Sequence, residues 1–360
     1  MLKKSTLCIA LSTILAGASA QAATIYEKEN GDNLKVYGEV GVGGHIGADY
    51  EYGEFYTDEK SYIDDSFATL GLKGEYEDVY YRLELDYERE NWAYGSGDMV
   101  LTIDKVFVGY KFYKGHAIEV GLTDTALDDY DKYGDFTFDT TVETGEAGDQ
   151  ENTIKYEGSL SNFKMGVSYS YEGESSSGSE LGDIINGYVG YFSDYVDVVI
   201  GAEKRSGSEG VSKYGEQTLF ALGVRAYITD DLAIGLNGYI ENEDIAQESA
   251  LTDISADYNT YTYSYNDYQT LKNQGALISA SYTLNEKVEF TGSLNYEEYE
   301  AWDINSEYGV SPDEEYSWGK ERTWGTLGIN FKPTSSVIFA LEGNFGEAAQ
   351  DAYAYARVYF

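Results

Sequence analysis

Hydrophobic and polar residues alternate along most of this chain with a period of two. The pattern is clearest at residues 79–88, where apolar or aromatic side chains occupy the odd positions and mostly charged ones the even positions. Successive side chains of an extended strand point to opposite faces, so this stretch predicts a β-strand with one apolar face and one wet face. The apolar face holds Val79, Tyr81, Leu83, Leu85 and Tyr87, and the wet face holds Tyr80, Arg82, Glu84, Asp86 and Glu88.

The same alternation ends the chain. In residues 352–360, three alanines, Val358 and Phe360 share one side, while three tyrosines and Arg357 share the other. A final strand of this kind must pair along both edges or expose unpaired backbone groups. Inside a membrane that exposure is not tolerated, and closing the sheet into a barrel removes it.

Sixteen alternating segments follow one another from Leu34 onward and predict an all-β fold, a transmembrane antiparallel β-barrel. Short turns such as 77–78 and 229–230 alternate with longer connections such as 51–65, 123–150, 243–267 and 301–316, which places both termini at the short-turn end. A soluble secreted β-sandwich or β-helix is the alternative, but long polar loops at one end only favour the barrel. The segments are 34–50, 66–77, 79–92, 100–113, 116–122, 151–157, 162–172, 183–192, 196–204, 216–229, 231–242, 268–283, 287–300, 317–331, 335–345 and 350–360.

The N-terminus has the three parts of a secretory signal peptide. Lys3 and Lys4 give it a basic start, residues 7–17 an apolar core, and the small residues near Ala20 and Ala22 two alternative cleavage positions. We therefore predict a signal peptide over residues 1–22, cleaved after Ala20 or after Ala22, and a single barrel domain over 23–360. Cys8, the only cysteine, lies inside the signal, so we expect no disulfide in the exported domain.

The composition of the chain excludes several classes of function. The chain has 64 acidic and 24 basic residues, a formal net charge of −40, which excludes nucleic acid as a partner because phosphate binding needs basic stripes. Beyond the N-terminal segment, no apolar run is long enough for a helical membrane span. The two histidines, His45 and His116, fall far apart in this topology and no Ser-His pair is readable, so we expect no enzyme, no cofactor and no metal site.

Several motifs give the chain a family resemblance: VYGEV at Val36–Val40, LGLKG at Leu70–Gly74, VFVGYK at Val106–Lys111, ENTIKY at Glu151–Tyr156 and the final Phe360. In this order and spacing the chain resembles the general diffusion porins of Gram-negative outer membranes, the sixteen-stranded trimeric group of gammaproteobacteria. The resemblance implies a water-filled pore for passive diffusion in the outer membrane, with the loop after the fifth strand folded inward as a constriction. It also implies a homotrimer, and an assembly signal at Phe360 that the barrel-assembly machinery reads.

The chain departs from the family pattern at the pore. Many relatives carry arginines on the wall that faces the inward loop, whereas the matching positions here hold Thr69, Leu122 and either Asp149 or Glu151. The Pro-Glu-Phe-Gly-Gly stretch common in that loop is absent as well. We therefore expect the basic half of the constriction to be largely missing.

Acidic residues dominate the candidate inward loop, residues 123–150, which holds a single Lys132. Charge of one sign in a narrow passage concentrates counterions, and a ring of carboxylates prefers cations. The sequence thus predicts a cation-selective channel for ions and small hydrophilic solutes; the alternative is that these acids are solvated residues at the channel mouth. The predicted constriction residues are Asp124, Asp128, Asp129, Asp131, Asp135, Asp139 and Glu143, and the predicted pore-wall residues are Lys73, Arg82, Glu84, Asp86, Lys105, Lys111, Arg225 and Arg357.

Two outer surfaces suggest partners. Small residues on the outward sides of the first and last segments could let neighbouring barrels approach closely, or could simply face lipid. Acidic outer loops such as 241–253 and 303–315 could bind divalent cations that bridge to lipopolysaccharide and other outer-membrane lipids, although diffuse counterions explain them as well. The small residues are Val36, Gly38, Val40, Val42, Gly44, Ala352, Ala354 and Ala356.

The main rival function is a substrate-specific oligosaccharide channel on the same barrel. Such a channel needs aromatic side chains along the lumen that stack on sugar rings. The candidates are Tyr80, Tyr239, Trp324, Tyr353 and Tyr355. Outer loops that act as an adhesin or phage receptor could coexist with either function.

Overall fold

The computed structural model describes residues 22–46, 49–51, 54–56, 62–91, 96–138, 142, 144–175, 178–254, 261–298, 305–306, 321–346 and 351–360. Sixteen long strands form one antiparallel sheet, in which each strand pairs with its neighbours in sequence. They are β1 (Asn33–Ile46), β2 (Phe67–Tyr76), β3 (Val79–Asn91), β4 (Ser96–Tyr113), β5 (His116–Asp124), β6 (Asp149–Leu160), β7 (Phe163–Glu174), β8 (Glu180–Tyr191), β9 (Val196–Arg205), β10 (Tyr214–Tyr227), β11 (Leu232–Ile254), β12 (Tyr261–Asn285), β13 (Val288–Glu298), β14 (Glu321–Thr334), β15 (Val337–Gly346) and β16 (Ala352–Tyr359).

The sheet closes where the first strand meets the last. One edge of β1 pairs with β2 along residues 33–41, and its other edge pairs with β16 from Glu39 opposite Tyr359 to Ile46 opposite Ala352. The predicted fold class, a closed sixteen-stranded antiparallel barrel, is therefore confirmed. Three short strands extend the sheet at its rims: Ala23–Glu27, Tyr62–Asp64 and Asn305–Ser306.

The alternation of side chains explains why the strands form a barrel in a membrane. Along β9, buried inward positions alternate with outward ones. Large apolar side chains on outward positions are exposed: Ile200 by 60 %, Leu294 by 68 % and Leu327 by 67 %. A soluble protein would bury such side chains, whereas lipid accepts them. Among the described residues, no helix is both long and apolar enough to cross a membrane.

The structure differs from the prediction at two of its rim segments. The stretch 243–267, predicted as a loop, is mostly strand: β11 and β12 stay paired from Ile245 opposite Gln269 to Ile254 opposite Tyr261. Polar residues occupy both faces there, so the apolar alternation is lost although the backbone ladder continues. The hairpin strand Ala23–Glu27 was not predicted, because it is exposed along its whole length and has no apolar face. Much of the predicted loops 51–65 and 301–316 lies outside the described residues.

Most of the buried apolar side chains lie inside the barrel. The connection between β5 and β6 is shorter than predicted, because Asp149 pairs with Asp124 and leaves residues 125–148 between the strands. Leu127, which is fully buried, and Val142 belong to this connection and pack on inward-facing wall residues. The wall residues of this cluster are Tyr188, Val199, Leu219, Ala221, Tyr239, Leu277 and Trp324.

Candidate functional site

Residues 125–148, here called the inner segment, lie against the inward-facing side chains of the wall. Near the start of the segment, Ala126 N donates to Ser168 Oγ and to Asn186 Oδ1, both at 3.0 Å. Near its end, Ala147 N donates to Glu203 Oε2 at 3.1 Å. The wall side chains that bond its backbone come from seven strands, and they are Ser168, Asn186, Glu203, Arg205, Gln217, Asn237, Glu241, Ser279 and Glu342.

A cluster of carboxyl groups, here called the root, lies where the inner segment leaves β5 and returns to β6. Oxygens of Asp124, Asp128 and Asp149 lie within 4.8 Å of one another. Lys105 Nζ contacts Asp124, Asp149 at 3.0 Å and Asp104 at 3.3 Å. One ammonium cannot balance three carboxylates when all of them are ionised. Oxygen ligands of this kind suit a hard cation, but Lys105 already contacts two of the three.

Two carboxyl groups at or near the root, those of Asp128 and Glu146, have raised pKa values. Burial, reinforced by the charges of Glu146 and Asp124, raises the pKa of Asp128 well above its usual range. Burial, followed by the charge of Glu203, raises the pKa of Glu146 to about 8. Gly148 N donates to Glu146 Oε1 at 2.8 Å and holds this side chain in place. At neutral pH, part of the formal negative charge of the inner segment is therefore neutralised by protons.

Most cations of the inner wall are paired with wall carboxylates. Arg82 Nη2 donates to both oxygens of Glu84 at 2.8 Å. Lys155 Nζ lies 2.8 Å from Glu119 Oε1. These pairs cancel charge locally and leave little positive field for the channel. At the rim of short turns, Lys111 contacts Glu75 at 2.5 Å, and Arg357 Nε lies 3.8 Å from Glu39.

Two wall cations contact aromatic rings instead. The guanidinium carbon of Arg225 lies 4.1 Å from the ring centre of Tyr133 and 5.3 Å from that of Phe136. Lys73 Nζ lies 4.6 Å from the ring centre of Tyr37. Within the part of the chain that the structure describes, neither cation has a carboxylate at ion-pair distance. Cation–π contact partly replaces the solvation that burial removes.

The structure places the predicted constriction residues at the end of β5 and at different points of the inner segment. Asp124 ends β5, Asp128 and Asp129 lie in a single helical turn (Asp128–Tyr130), and Asp131 follows that turn. Asp135 accepts hydrogen bonds from Thr137 N and Oγ1, both at 2.8 Å, so it shapes the segment locally. Asp139 and Glu143 lie outside the described residues. Glu84 and Asp86 are on the inward face of β3, beside Arg82.

Several buried ion pairs inside the barrel were not predicted. Arg205 Nε donates to Glu203 Oε1 at 2.7 Å, and Arg322 Nε donates to Glu297 Oε2 at 2.7 Å. Glu203 and Arg205 are two residues apart on one strand face, and this spacing in the sequence could have identified the pair. The partnership of Glu297 and Arg322 depends on the register of β13 and β14, where the two residues lie opposite each other. The sequence alone does not give that register.

Four of the five aromatic residues predicted to line the lumen are buried against other side chains, and Tyr80 is partly buried. Tyr239 and Trp324 belong to the cluster with Leu127 and Val142, and each is 4 % exposed. Tyr353 and Tyr355 stack on each other and pack against Phe138 of the inner segment. Tyr80 Oη donates to Glu119 Oε2 at 3.0 Å. These rings anchor the inner segment and the wall, and no open ladder of aromatic faces runs through the described residues.

The terminal residue takes part in the closure. Phe360 N donates to Gly38 O at 2.9 Å, and Gly38 N donates to Phe360 O at 3.0 Å. The Phe360 ring lies over Gly38, with its Cζ 2.7 Å from where a Cβ of residue 38 would be. The role of Phe360 in assembly stays a prediction.

Comparison with known proteins identifies the family. The family model for Gram-negative porins matches residues 8–321. The fold is similar to a loop L8 deletion mutant of OmpT, an outer membrane protein of Vibrio cholerae (TM-score 0.64, 15 % identity, 91 % of this chain and 99 % of that chain). It is also similar to Salmonella typhi OmpF in complex with daunomycin (TM-score 0.62, 14 % identity, 94 % and 100 %) and to a mutant of Rh. blastica porin (TM-score 0.58, 12 % identity, 91 % and 100 %).

Among curated proteins, no sequence matches this chain significantly. The structural similarities at these identities show the fold, while the family model extends over most of the sequence. Together with the closed barrel and its apolar outer face, they locate the protein in the bacterial outer membrane. The chain belongs to the Gram-negative porin family and forms an outer-membrane channel for passive diffusion.

Proposed function

We propose that the channel selects cations and that the inner segment forms its constriction. The observation that carries this proposal is the charge balance at the root, where Lys105 alone faces Asp104, Asp124 and Asp149. A narrow passage with an excess of one charge focuses the field and raises the local concentration of counterions. Carboxylates in such a passage admit cations more readily than anions.

The paired cations of the wall are consistent with cation selectivity. Arg82, Lys155 and Arg205 are each engaged by a carboxylate, so they cancel charge and do not build a basic wall opposite the inner segment. The positions at which relatives carry arginine hold Thr69, Leu122 and Asp149 or Glu151. Pore-wall roles for Lys73, Glu84, Asp86, Lys111, Arg225 and Arg357 belong to the same proposal.

The zero-current potential tests this proposal. Purified protein is inserted into a planar bilayer under a salt gradient, and the sign of the potential gives the preferred ion. We expect the sign of preferred cation passage. A potential of opposite sign would overturn cation selectivity, whereas absence of any conductance from folded protein would contradict the channel function itself.

An oligosaccharide-specific channel is less well supported. Tyr239, Trp324, Tyr353 and Tyr355 are at most 4 % exposed and pack against other residues, so their faces are not available for stacking on a sugar. We expect current that is not blocked in a saturable way by sugars. Saturable block at micromolar sugar would instead favour the specific channel.

We further propose that the protein is a homotrimer. One of the similar structures, in-vitro folded OmpT of Vibrio cholerae, is a trimer form (TM-score 0.62, 14 % identity). The outward sides of β1 and β16 offer small residues, although the Phe360 ring fills the space at Gly38. Mass measurement by light scattering in detergent, before and after heating, tests the assembly, and a monomer that cross-linking cannot convert into a larger species would contradict it.

The binding of divalent cations that bridge acidic outer loops to lipopolysaccharide stays a prediction.

A further inference from the structure

The tip of the inner segment, residues 133–135, lies directly on the backbone of the wall. The carbonyl oxygen of Gly134 is 1.7 Å from where a Cβ of Gly235 would be. The carbonyl oxygen of Tyr133 is 2.1 Å from where a Cβ of Gly223 would be. Real Cβ atoms essentially never come within 3.0 Å of a non-bonded heavy atom, so these two wall positions accept the tip only because they are glycine.

Strand register brings these two positions into one site. Gly223 on β10 lies opposite Asn237 on β11, and Gly235 on β11 lies opposite Ser279 on β12. Asn237 Nδ2 donates to Tyr133 O at 3.1 Å, and Ser279 Oγ donates to Gly134 O at 2.6 Å. The Tyr133 and Gly134 carbonyls, which lie where the Cβ atoms of residues 223 and 235 would be, each also accept a hydrogen bond from the wall residue opposite that glycine.

The side chain of Tyr133 attaches the tip to the same wall. Tyr133 Oη donates to Asp197 Oδ2 at 2.8 Å, and Asp197 lies opposite Arg225 in the sheet. The guanidinium group of Arg225 lies over the Tyr133 ring, and Arg225 is only 4 % exposed. Hydrogen bonds and a cation–π contact thus attach Tyr133 and Gly134 to the wall.

We infer that Gly223 and Gly235 are positioning residues that set the width of the channel, because they let the inner segment lie flush against the wall. This inference rests on the proposed function, in which the inner segment narrows the channel. A methyl group at residue 235 needs a separation of about 3.5 Å from the Gly134 carbonyl, so one of the two surfaces must retreat by roughly 2 Å.

The inner segment, rather than the wall, should retreat. β11 is held by continuous ladders to β10 and β12 on its two edges. The tip is held to the wall by a few hydrogen bonds from side chains rather than by a strand ladder. The softer element yields to overpacking, and a tip that moves away from the wall moves into the lumen. A side chain at residue 235 therefore narrows the channel.

Single-channel conductance of Gly235→Ala tests this inference. We expect folded Gly235→Ala channels to conduct roughly twofold less than the unchanged protein, and to exclude smaller polyethylene glycols, because pore diameter limits passage. Gly325→Ala is the matched control: Gly325 faces outward on β14, and the nearest atom to its added Cβ is 3.5 Å away. This control should conduct as the unchanged protein does.

A second variant separates positioning from general damage. The double substitution Asn237→Ala and Ser279→Ala removes the three hydrogen bonds that these side chains donate to the carbonyl oxygens of Asp131, Tyr133 and Gly134. It adds no bulk, so we expect a conductance that is higher or fluctuates more. Changes of opposite sign in the two variants support the inference, since loss of folding would affect both in the same direction. Unchanged or increased conductance in folded Gly235→Ala channels would overturn it, while cation selectivity of the unchanged protein could still hold. If Gly235→Ala does not fold, an unchanged double variant overturns the inference.

Discussion

The inner segment is attached to the wall at the root and at the tip by different kinds of interaction. At the root, Lys105 contacts the carboxyl groups of Asp124 and Asp149, and the nearby Asp128 and Glu146 have raised pKa values. At the tip, carbonyl groups rest on Gly223 and Gly235 and accept hydrogen bonds. Charge at the root responds to pH and to salt, whereas steric contact at the tip does not. Selectivity and width of the channel can therefore be altered separately.

The largest effect is expected from Lys105→Gln at the root. Removing the ammonium leaves Asp124 and Asp149 without the cation that both contact, and an uncompensated buried charge typically costs about 3–5 kcal/mol. We expect the free energy of unfolding, measured with urea in lipid vesicles, to fall by that order. Cation preference should rise at the same time, because one positive charge has left the passage.

The control for this substitution is Lys204→Gln. Lys204 and Glu216 form an ion pair at 3.5 Å whose side chains are 59 % and 60 % exposed. Exposed pairs contribute little to stability, so unfolding and selectivity should both stay unchanged. Equal effects of the two substitutions would mean that Lys105 has no special role at the root.

A pH effect on selectivity should come next in size. The pKa of Glu146 is raised to about 8, so its neutral form stabilises the docked segment fully below the ordinary pKa of a glutamate, and this contribution is lost as pH rises through about 8. Ionisation also adds negative charge beside Asp128 and Glu203. Between about pH 6 and pH 9 we therefore expect cation preference to increase.

Glu146→Gln tests which group causes the pH effect. Glutamine has nearly the same shape and cannot ionise, so the part of the pH dependence that centres near 8 should disappear. Glu216→Gln, at an exposed position of β10, should leave the pH profile as it is. A profile that is equally steep in Glu146→Gln would assign the titration to another group.

How much the sequence predicts differs between the wall and the inner segment. Alternation predicted all sixteen strands, because each residue's face in a strand depends only on its position along the chain. The path of the inner segment depends on Gly223 and Gly235, which become neighbours only through the register of β10 and β11. The charge of Glu146 likewise depends on burial, which composition does not reveal.

The smallest effect is expected from Tyr133→Phe at the tip. The substitution removes one hydrogen bond to Asp197 and keeps the ring that lies under Arg225, so it should cost about 1 kcal/mol. Tyr227→Phe removes a hydrogen bond to the same oxygen, at 2.7 Å, but from a wall residue rather than from the inner segment. We therefore expect similar losses of stability from the two substitutions, but larger conductance fluctuations only in Tyr133→Phe. Equal fluctuations in both variants would show that the tip and the wall move together, and that attachment of the inner segment at this point does not control the width of the channel.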